Sequence, residues 1–110
     1  MPLISLTDAL GDPGRQGALA AFNVIQIEHA EAYATAAETT GLPVVMQISE
    51  NAVKYHGSLR PILLATLAIG EVCAEPVVVH LDHATDRDLV SEAVRLGVTS
   101  VMFDGSTLTD

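Results

Sequence analysis

Four short runs of apolar and β-branched residues alternate along the chain with three segments of helical periodicity. The runs predict strands at Ala20–Val24, Val44–Ser49, Val77–His83 and Ser100–Asp104. The segments between them predict helices at Ile27–Thr40, Leu59–Cys73 and Asp86–Leu96, and a further short helix is predicted at Ile4–Leu10. Strands that alternate with helices in this order are typical of a parallel α/β protein.

Residues that commonly begin or end helices lie at the predicted boundaries. Gly41, with Pro43 two residues later, is a typical end for the first long helix. Pro61 falls in the first turn of the second, where its missing N–H costs nothing. Thr85 is the predicted N-cap of the third, and Gly97 closes it. These signals support three separate helices with short connections.

Side-chain parity distinguishes two ways of building such a sheet. Alternate strand residues face opposite sides, and the polar residues share one parity near the strand ends: Asn23, Gln47, Ser49, His80, Asp82 and Asp104. A doubly wound sheet covers both faces with helices, so a polar stripe would be costly there. A barrel instead has a polar mouth at the carboxyl ends of its strands. The pattern therefore favours a parallel (β/α)₈ TIM barrel, of which residues 1–110 supply about half as one domain.

An acid and a histidine, Asp82 and His83, end the third predicted strand. Together they can supply a proton-transfer group and a metal ligand, but regular pleating would send them to opposite faces. The plainer alternative is that they only begin the next helix. Asp104, at the end of the fourth strand, is expected at the same rim, and its alternative role is a turn formed with Gly105. Convergence of these groups favours a functional site.

Other polar residues have less specific predictions. Asn23 and Ser49 end the first two strands and could either contact a ligand or satisfy the backbone. His80 is interpreted as an interior histidine with hydrogen-bond partners. Lys54 is the only lysine and is expected in a loop after the second strand. A Schiff-base lysine needs a desolvated pocket, and nothing in the sequence predicts one around Lys54.

Composition narrows the class of protein. The 5 basic and 14 acidic residues give a net charge of −9, which argues against nucleic-acid binding because phosphate neutralisation needs clustered lysine and arginine. Residues 1–14 lack the features of a signal peptide, and the longest apolar stretch, residues 61–70, is too short to cross a bilayer. The single cysteine, Cys73, cannot form an intrachain disulfide. We expect a cytoplasmic protein with no membrane partner.

Four segments, AFNV, VVMQIS, VVVHLDH and SVMFDGS, resemble in order and spacing the class II, zinc-dependent fructose-bisphosphate and tagatose-bisphosphate aldolases. The resemblance runs along essentially the whole chain. It implies metal-dependent cleavage of a ketose 1,6-bisphosphate, a phosphorylated sugar, to dihydroxyacetone phosphate and glyceraldehyde 3-phosphate. Zn²⁺ would stabilise the enediolate, and no catalytic lysine is required. The fructose and tagatose substrates remain open alternatives.

The resemblance also implies roles for individual residues. Asp82 resembles the catalytic acid/base, and His83 resembles a zinc ligand. Asp104 resembles a carboxylate that binds a second or displaced metal ion. Asn23 and Ser49 resemble groups beside the bound dihydroxyacetone phosphate.

The family completes its zinc site with two further histidines, and its phosphate-binding loops come from later strands. A catalytic zinc site uses about three protein ligands, so we expect the isolated 110-residue chain to be inactive and to bind zinc weakly. Two open sheet edges predict a homo-oligomer. Two alternatives remain: another metal-dependent phosphosugar lyase, or a non-catalytic half-barrel that binds a partner.

Overall fold

The computed structural model describes residues 3–12 and 17–109. In chain order these residues form α1 (Leu6–Leu10), β1 (Ala21–Asn23), α2 (Ile27–Thr40), β2 (Val44–Ser49), α3 (Glu50–His56), α4 (Arg60–Val72), β3 (Val77–Ala84), α5 (Arg87–Leu96) and β4 (Ser100–Phe103). The prediction of four strands, of a short helix before them and of three long helices between them is confirmed, with boundaries that differ by at most two residues.

The four strands form one parallel sheet in the order β1-β2-β3-β4. Each strand therefore pairs with its neighbour along the chain, as strands do in a (β/α)₈ barrel. The register places Asn23 beside Gln47, Gln47 beside His80, and His80 beside Ser100. Polar residues of one parity thus form a continuous row across the sheet, which confirms the predicted polar face.

The larger apolar core lies between the helices and the opposite face of the sheet. Met46, Val79 and Leu81 are completely or almost completely buried in it. On the polar face, a smaller apolar cluster lies under α1 and joins Ala9 to Val45 and Val78. This cluster covers the first residues of the strands, so the inner face is apolar at one end and polar at the other.

The prediction that Lys54 lies in a loop is wrong. Lys54 belongs to α3, a seven-residue helix directly after β2. Ser49 begins this helix, since its side chain accepts a hydrogen bond from the N–H of Ala52, and Gly57 ends it in the left-handed conformation. The helix is too short to show apolar periodicity, but the serine and the glycine at its ends were visible signals.

The predicted N-cap of α5 is also wrong by one residue. Asp86, not Thr85, accepts the hydrogen bond from the N–H of Asp88. The side chain of Thr85 instead donates a hydrogen bond to Glu50, at the start of α3. A competing tertiary contact therefore removed Thr85 from its expected capping role.

Within the described parts of the chain, no helix combines the length and the apolar character needed to cross a bilayer.

Candidate active site

The last residues of β3 depart from regular pleating. His83 has φ of 50°, and it is the one non-glycine residue with positive φ among those the structure describes. The pairing of β3 with β4 shifts register between Leu81 and Ala84. One left-handed residue turns its side chain out of the normal alternation, so the neighbours Asp82 and His83 reach the same rim. Asp82 and His83 can therefore act at one site, although regular pleating would place them on opposite faces of the sheet.

The imidazole of His83 lies between two carboxylates. Its Nε2 is 3.6 Å from Oδ2 of Asp82, and its Nδ1 is 3.8 Å from Oδ2 of Asp104. The side chain of His83 is 62% exposed, whereas that of Asp82 is 13% exposed. The structure therefore brings Asp82, His83 and Asp104 into one cluster at the carboxyl ends of β3 and β4.

A second histidine, His80, contacts the carboxylate of Asp82. Nε2 of His80 is 3.2 Å from Oδ1 of Asp82, and Nδ1 of His80 is 2.7 Å from Oγ of Ser100. Both contacts are satisfied if the Ser100 hydroxyl donates to Nδ1 and the Nε2–H donates to the carboxylate. The prediction that His80 is an interior histidine with partners is confirmed, and one of those partners is Asp82.

Asp104 makes a local turn in addition to its contact with His83. Its Oδ1 accepts a hydrogen bond of 3.0 Å from the backbone N–H of Ser106. Hydrogen bonding from the Ser106 side chain, with a further contribution from its backbone, lowers the pKa of Asp104 below its ordinary value. The carboxylate is therefore ionised at neutral pH, and both sequence interpretations of Asp104, turn former and rim acid, describe its contacts.

Asn23 and Ser49 lie at the ends of the first two strands, beside a cavity of about 340 Å³ that Asn51 and Tyr55 of α3 also line. The Asn23 side-chain oxygen accepts a 2.8 Å hydrogen bond from Gln47, which leaves its NH₂ group as a donor. Ser49 accepts from Ala52 and retains its hydroxyl hydrogen.

The two groups of residues lie on one continuous rim. Ser49 is the register partner of Asp82 in adjacent parallel strands. Asn23 is one strand further along, in line with Gln47. Hydrogen-bond donors at the ends of β1 and β2 thus adjoin carboxylates and an imidazole at the ends of β3 and β4.

The side chains at the rim supply only some of the ligands that the expected zinc ion needs. Across residues 3–12 and 17–109, no three histidine, cysteine, aspartate or glutamate side chains converge closely enough to hold a metal ion. The exposed imidazole of His83 and the two nearby carboxylates are nevertheless ligand types that zinc accepts. The residues therefore fit part of a zinc site and not a complete one.

Sequence reasoning gave no role to Glu50, the first residue of α3. Its carboxylate oxygens accept hydrogen bonds from Thr85 and Asp86, in the turn that follows β3. Hydrogen bonding by the Thr85 side chain is the main cause that lowers the pKa of Glu50. The available signal was an acid directly after a strand-end serine; its partner 35 residues away could not be read from the sequence.

Comparisons with known proteins agree with this architecture. The chain is 42% identical over 113 aligned positions to a fructose-bisphosphate aldolase of Pseudomonas aeruginosa, covering 100% of this chain and 31% of that protein. It is 41% identical to a fructose-bisphosphate aldolase of Thermus caldophilus, covering 78% of this chain and 28% of the relative. The chain thus spans about a third of the length of these curated relatives.

A solved structure shows the same fold. The crystal structure of the YdjI aldolase from Escherichia coli K12 superposes with a TM-score of 0.81 at 23% identity, over 97% of this chain and 42% of that one. The four parallel strands and the helices that connect them are therefore part of a (β/α)₈ barrel. The family model described as "Fructose-bisphosphate aldolase class-II" matches residues 13–110. The chain belongs to the class II fructose-bisphosphate aldolase family.

Proposed function

We propose that residues 1–110 form the N-terminal half of the barrel domain of a zinc-dependent aldolase. Its reaction is the reversible cleavage of a ketose 1,6-bisphosphate to dihydroxyacetone phosphate and glyceraldehyde 3-phosphate. The observation that carries the proposal is the cluster of Asp82, His83 and Asp104 at the strand ends, in a chain of this family.

Asp82 is the general acid/base in this proposal. In the cleavage direction it accepts the proton of the hydroxyl next to the carbon–carbon bond that breaks, and it returns a proton in condensation. Its side chain is mostly buried, and Nε2 of His80 lies within hydrogen-bond distance of one of its oxygens. The other oxygen faces His83 and the rim. This arrangement leaves one carboxylate oxygen on the side from which a substrate arrives.

His83 and Asp104 are the proposed metal-binding residues of this chain. When bound, zinc supplies Lewis-acid stabilisation of the negative charge that develops during cleavage. Asn23 and Ser49 are proposed to bind the dihydroxyacetone phosphate portion, through the amide NH₂ and the hydroxyl beside their shared cavity. Asp82, His83 and Asp104 offer phosphate groups no lysine or arginine, so further phosphate contacts are proposed to come from later strands.

The 110-residue chain in isolation is proposed to be inactive and to bind zinc weakly. The proposed ligands of this chain, the His83 imidazole and the Asp104 carboxylate, are fewer than the roughly three protein ligands of a catalytic zinc site. Finding saturable aldol cleavage by the purified 110-residue chain, lost on Asp82→Ala, would overturn this part of the proposal.

Pairing with another copy and a cytoplasmic location complete the proposal. Within the described sheet, β1 and β4 each have a single neighbour, so each presents an edge that another strand can join. The purified 110-residue chain should therefore elute as a dimer or larger species. A sharp monomer peak with one cooperative unfolding transition would contradict it.

The central experiment measures cleavage of fructose and tagatose 1,6-bisphosphate by the natural gene product in a coupled assay. Asp82→Asn should lower kcat by about 100- to 10,000-fold, the usual contribution of a general acid or base, while bound zinc is retained. Asp88→Asn, which neutralises an exposed carboxylate in the first turn of α5, is the control and should not change kcat. Turnover by Asp82→Asn at the wild-type rate would refute the assignment.

A further inference from the structure

Glu50 links the ends of two strands that carry the proposed site. It is the first residue of α3, directly after β2. Oε1 accepts hydrogen bonds of 3.2 Å from the backbone N–H groups of both Thr85 and Asp86. Oε2 accepts a 2.7 Å hydrogen bond from the hydroxyl of Thr85. A single carboxylate thus holds the turn after β3 by three hydrogen bonds.

The segment that Glu50 holds begins two residues after His83. The backbone of His83 itself is left-handed, a conformation that is unfavourable for a non-glycine residue. Such a residue keeps its conformation only when the surrounding structure enforces it. Toward β4, the backbone oxygen of Ala84 accepts a 2.7 Å hydrogen bond from the N–H of Asp104. Toward β2, Glu50 provides a second constraint, at Thr85 and Asp86.

We propose that Glu50 is a positioning residue that holds the backbone bend at His83, and thereby aims the His83 imidazole for metal binding between Asp82 and Asp104. This inference rests on the metal-binding role proposed for His83. Glu50 is not proposed to contact metal or substrate.

The charge state of Glu50 suits this role. Hydrogen bonding by Thr85 lowers its pKa below the ordinary glutamate value of 4.5, so the acceptor is a carboxylate at neutral pH. Charge-assisted hydrogen bonds of this kind are stronger than neutral ones. Partners that orient a metal ligand typically change metal affinity by 10- to 100-fold when they are removed.

A second glutamate provides a matched control at the opposite end of β3. Oε2 of Glu38 accepts a 2.8 Å hydrogen bond from the backbone N–H of Ala74, in the connection that leads into β3. Both residues therefore tie a connection of the same strand through an exposed or half-exposed carboxylate. Glu38 lies at the end away from Asp82 and His83, so its loss should affect stability without affecting metal affinity.

The test uses the natural gene product, with zinc affinity measured by chelator competition and the visible absorption band of bound Co²⁺ recorded as a report on ligand geometry. Glu50→Ala should weaken zinc binding by about tenfold or more and shift the Co²⁺ band. Glu50→Gln keeps an oxygen for the two backbone N–H groups but loses the charge, so it should weaken zinc binding by a smaller factor than Glu50→Ala. Glu38→Ala should leave both readouts unchanged.

Thr85→Val provides a second variant that does not depend on the folding of Glu50→Ala. It removes the hydroxyl that makes the 2.7 Å hydrogen bond and should weaken zinc binding in the same direction by a smaller factor. An unchanged zinc affinity and Co²⁺ band in both Glu50→Ala and Thr85→Val would overturn the inference. Equal losses in Glu38→Ala and Glu50→Ala would overturn it too, because they would reflect general destabilisation.

His83→Ala separates this inference from the proposed function. Loss of zinc in His83→Ala with no change in Glu50→Ala refutes only the positioning role of Glu50. Unchanged zinc binding in His83→Ala refutes the metal assignment on which both proposals depend.

Discussion

The two halves of β3 differ in composition, burial and consequence. Val77, Val78 and Val79 are fully buried, with α1 and its neighbours covering the inner face at Val78. From His80 onward the same face carries polar groups, first His80 and then Asp82. One continuous strand thus changes from a packing element to a site within a few residues. Packing defines the first half, and hydrogen-bond geometry defines the second.

Placing a charged residue in the apolar half of β3 should have the largest effect on stability. Val78→Asp places a carboxylate in an apolar cluster without a described partner, where burial of an unpaired charge costs several kcal/mol. We expect a loss of about 5 kcal/mol, comparable with the whole stability of a small domain, and therefore a largely unfolded protein. Chemical denaturation followed by circular dichroism measures it.

The reciprocal change, Asp82→Val, is the control for Val78→Asp. It should abolish activity of the natural gene product but lower the free energy of unfolding by no more than about 3 kcal/mol, the upper range for leaving a buried hydrogen-bonding group, here His80, without its partner. Similar unfolding curves for the two variants would show that the two halves do not differ in the way the burial pattern indicates.

The support beneath Asp82 gives a smaller effect. Ser100→Ala removes the hydroxyl that is 2.7 Å from Nδ1 of His80, the contact that would favour the tautomer in which Nε2–H donates to Asp82. A hydrogen bond of this kind contributes about 0.5–1.5 kcal/mol, which corresponds to roughly a two- to tenfold lower kcat at unchanged KM. Steady-state kinetics of the natural gene product measures it.

Ser91→Ala, an exposed serine of α5, is the matched control for Ser100→Ala and should match wild type. Equal kcat values for Ser100→Ala and wild type would show that His80 does not act on Asp82 through Ser100.

The pH dependence of stability should give the smallest effect. The folded-state pKa of Glu50 lies below its ordinary value of 4.5, so its hydrogen bonds stabilise the fold above that value and are lost as pH falls through the lowered pKa. Wild type should therefore exceed Glu50→Ala in stability at pH 7 by less than about 1 kcal/mol, the range of exposed charged groups. Thermal melts at pH 7 and near pH 3 should show this difference shrinking, and a constant difference would contradict the assignment.

The strands and long helices could be predicted because their signals are local. The bounds of α2 and β2 agree with the predictions, since Gly41 and Pro43 separate a helical pattern from a continuous apolar run. The short α3 was missed because seven residues provide no periodicity. Its capping residues alone could have indicated it.

The residues of the rim were identified, but their contacts were not. Alternation along a strand predicts opposite faces for Asp82 and His83, and the left-handed φ of His83 is not encoded in any local pattern. The hydrogen bond that Thr85 donates to Glu50 joins residues 35 positions apart. Such contacts depend on the register of β2 with β3, which follows from packing of the whole sheet.

The left-handed backbone at His83 means that position 83 must accommodate an unusual backbone conformation as well as supply a metal ligand. Histidine, asparagine and aspartate tolerate a left-handed backbone better than most residues, whereas β-branched side chains do not. Tolerance at position 83 should therefore follow backbone shape as well as ligand chemistry. Asparagine should preserve the bend while removing the imidazole, whereas valine should disturb both. An asparagine replacement would separate the architecture of the rim from its reactivity.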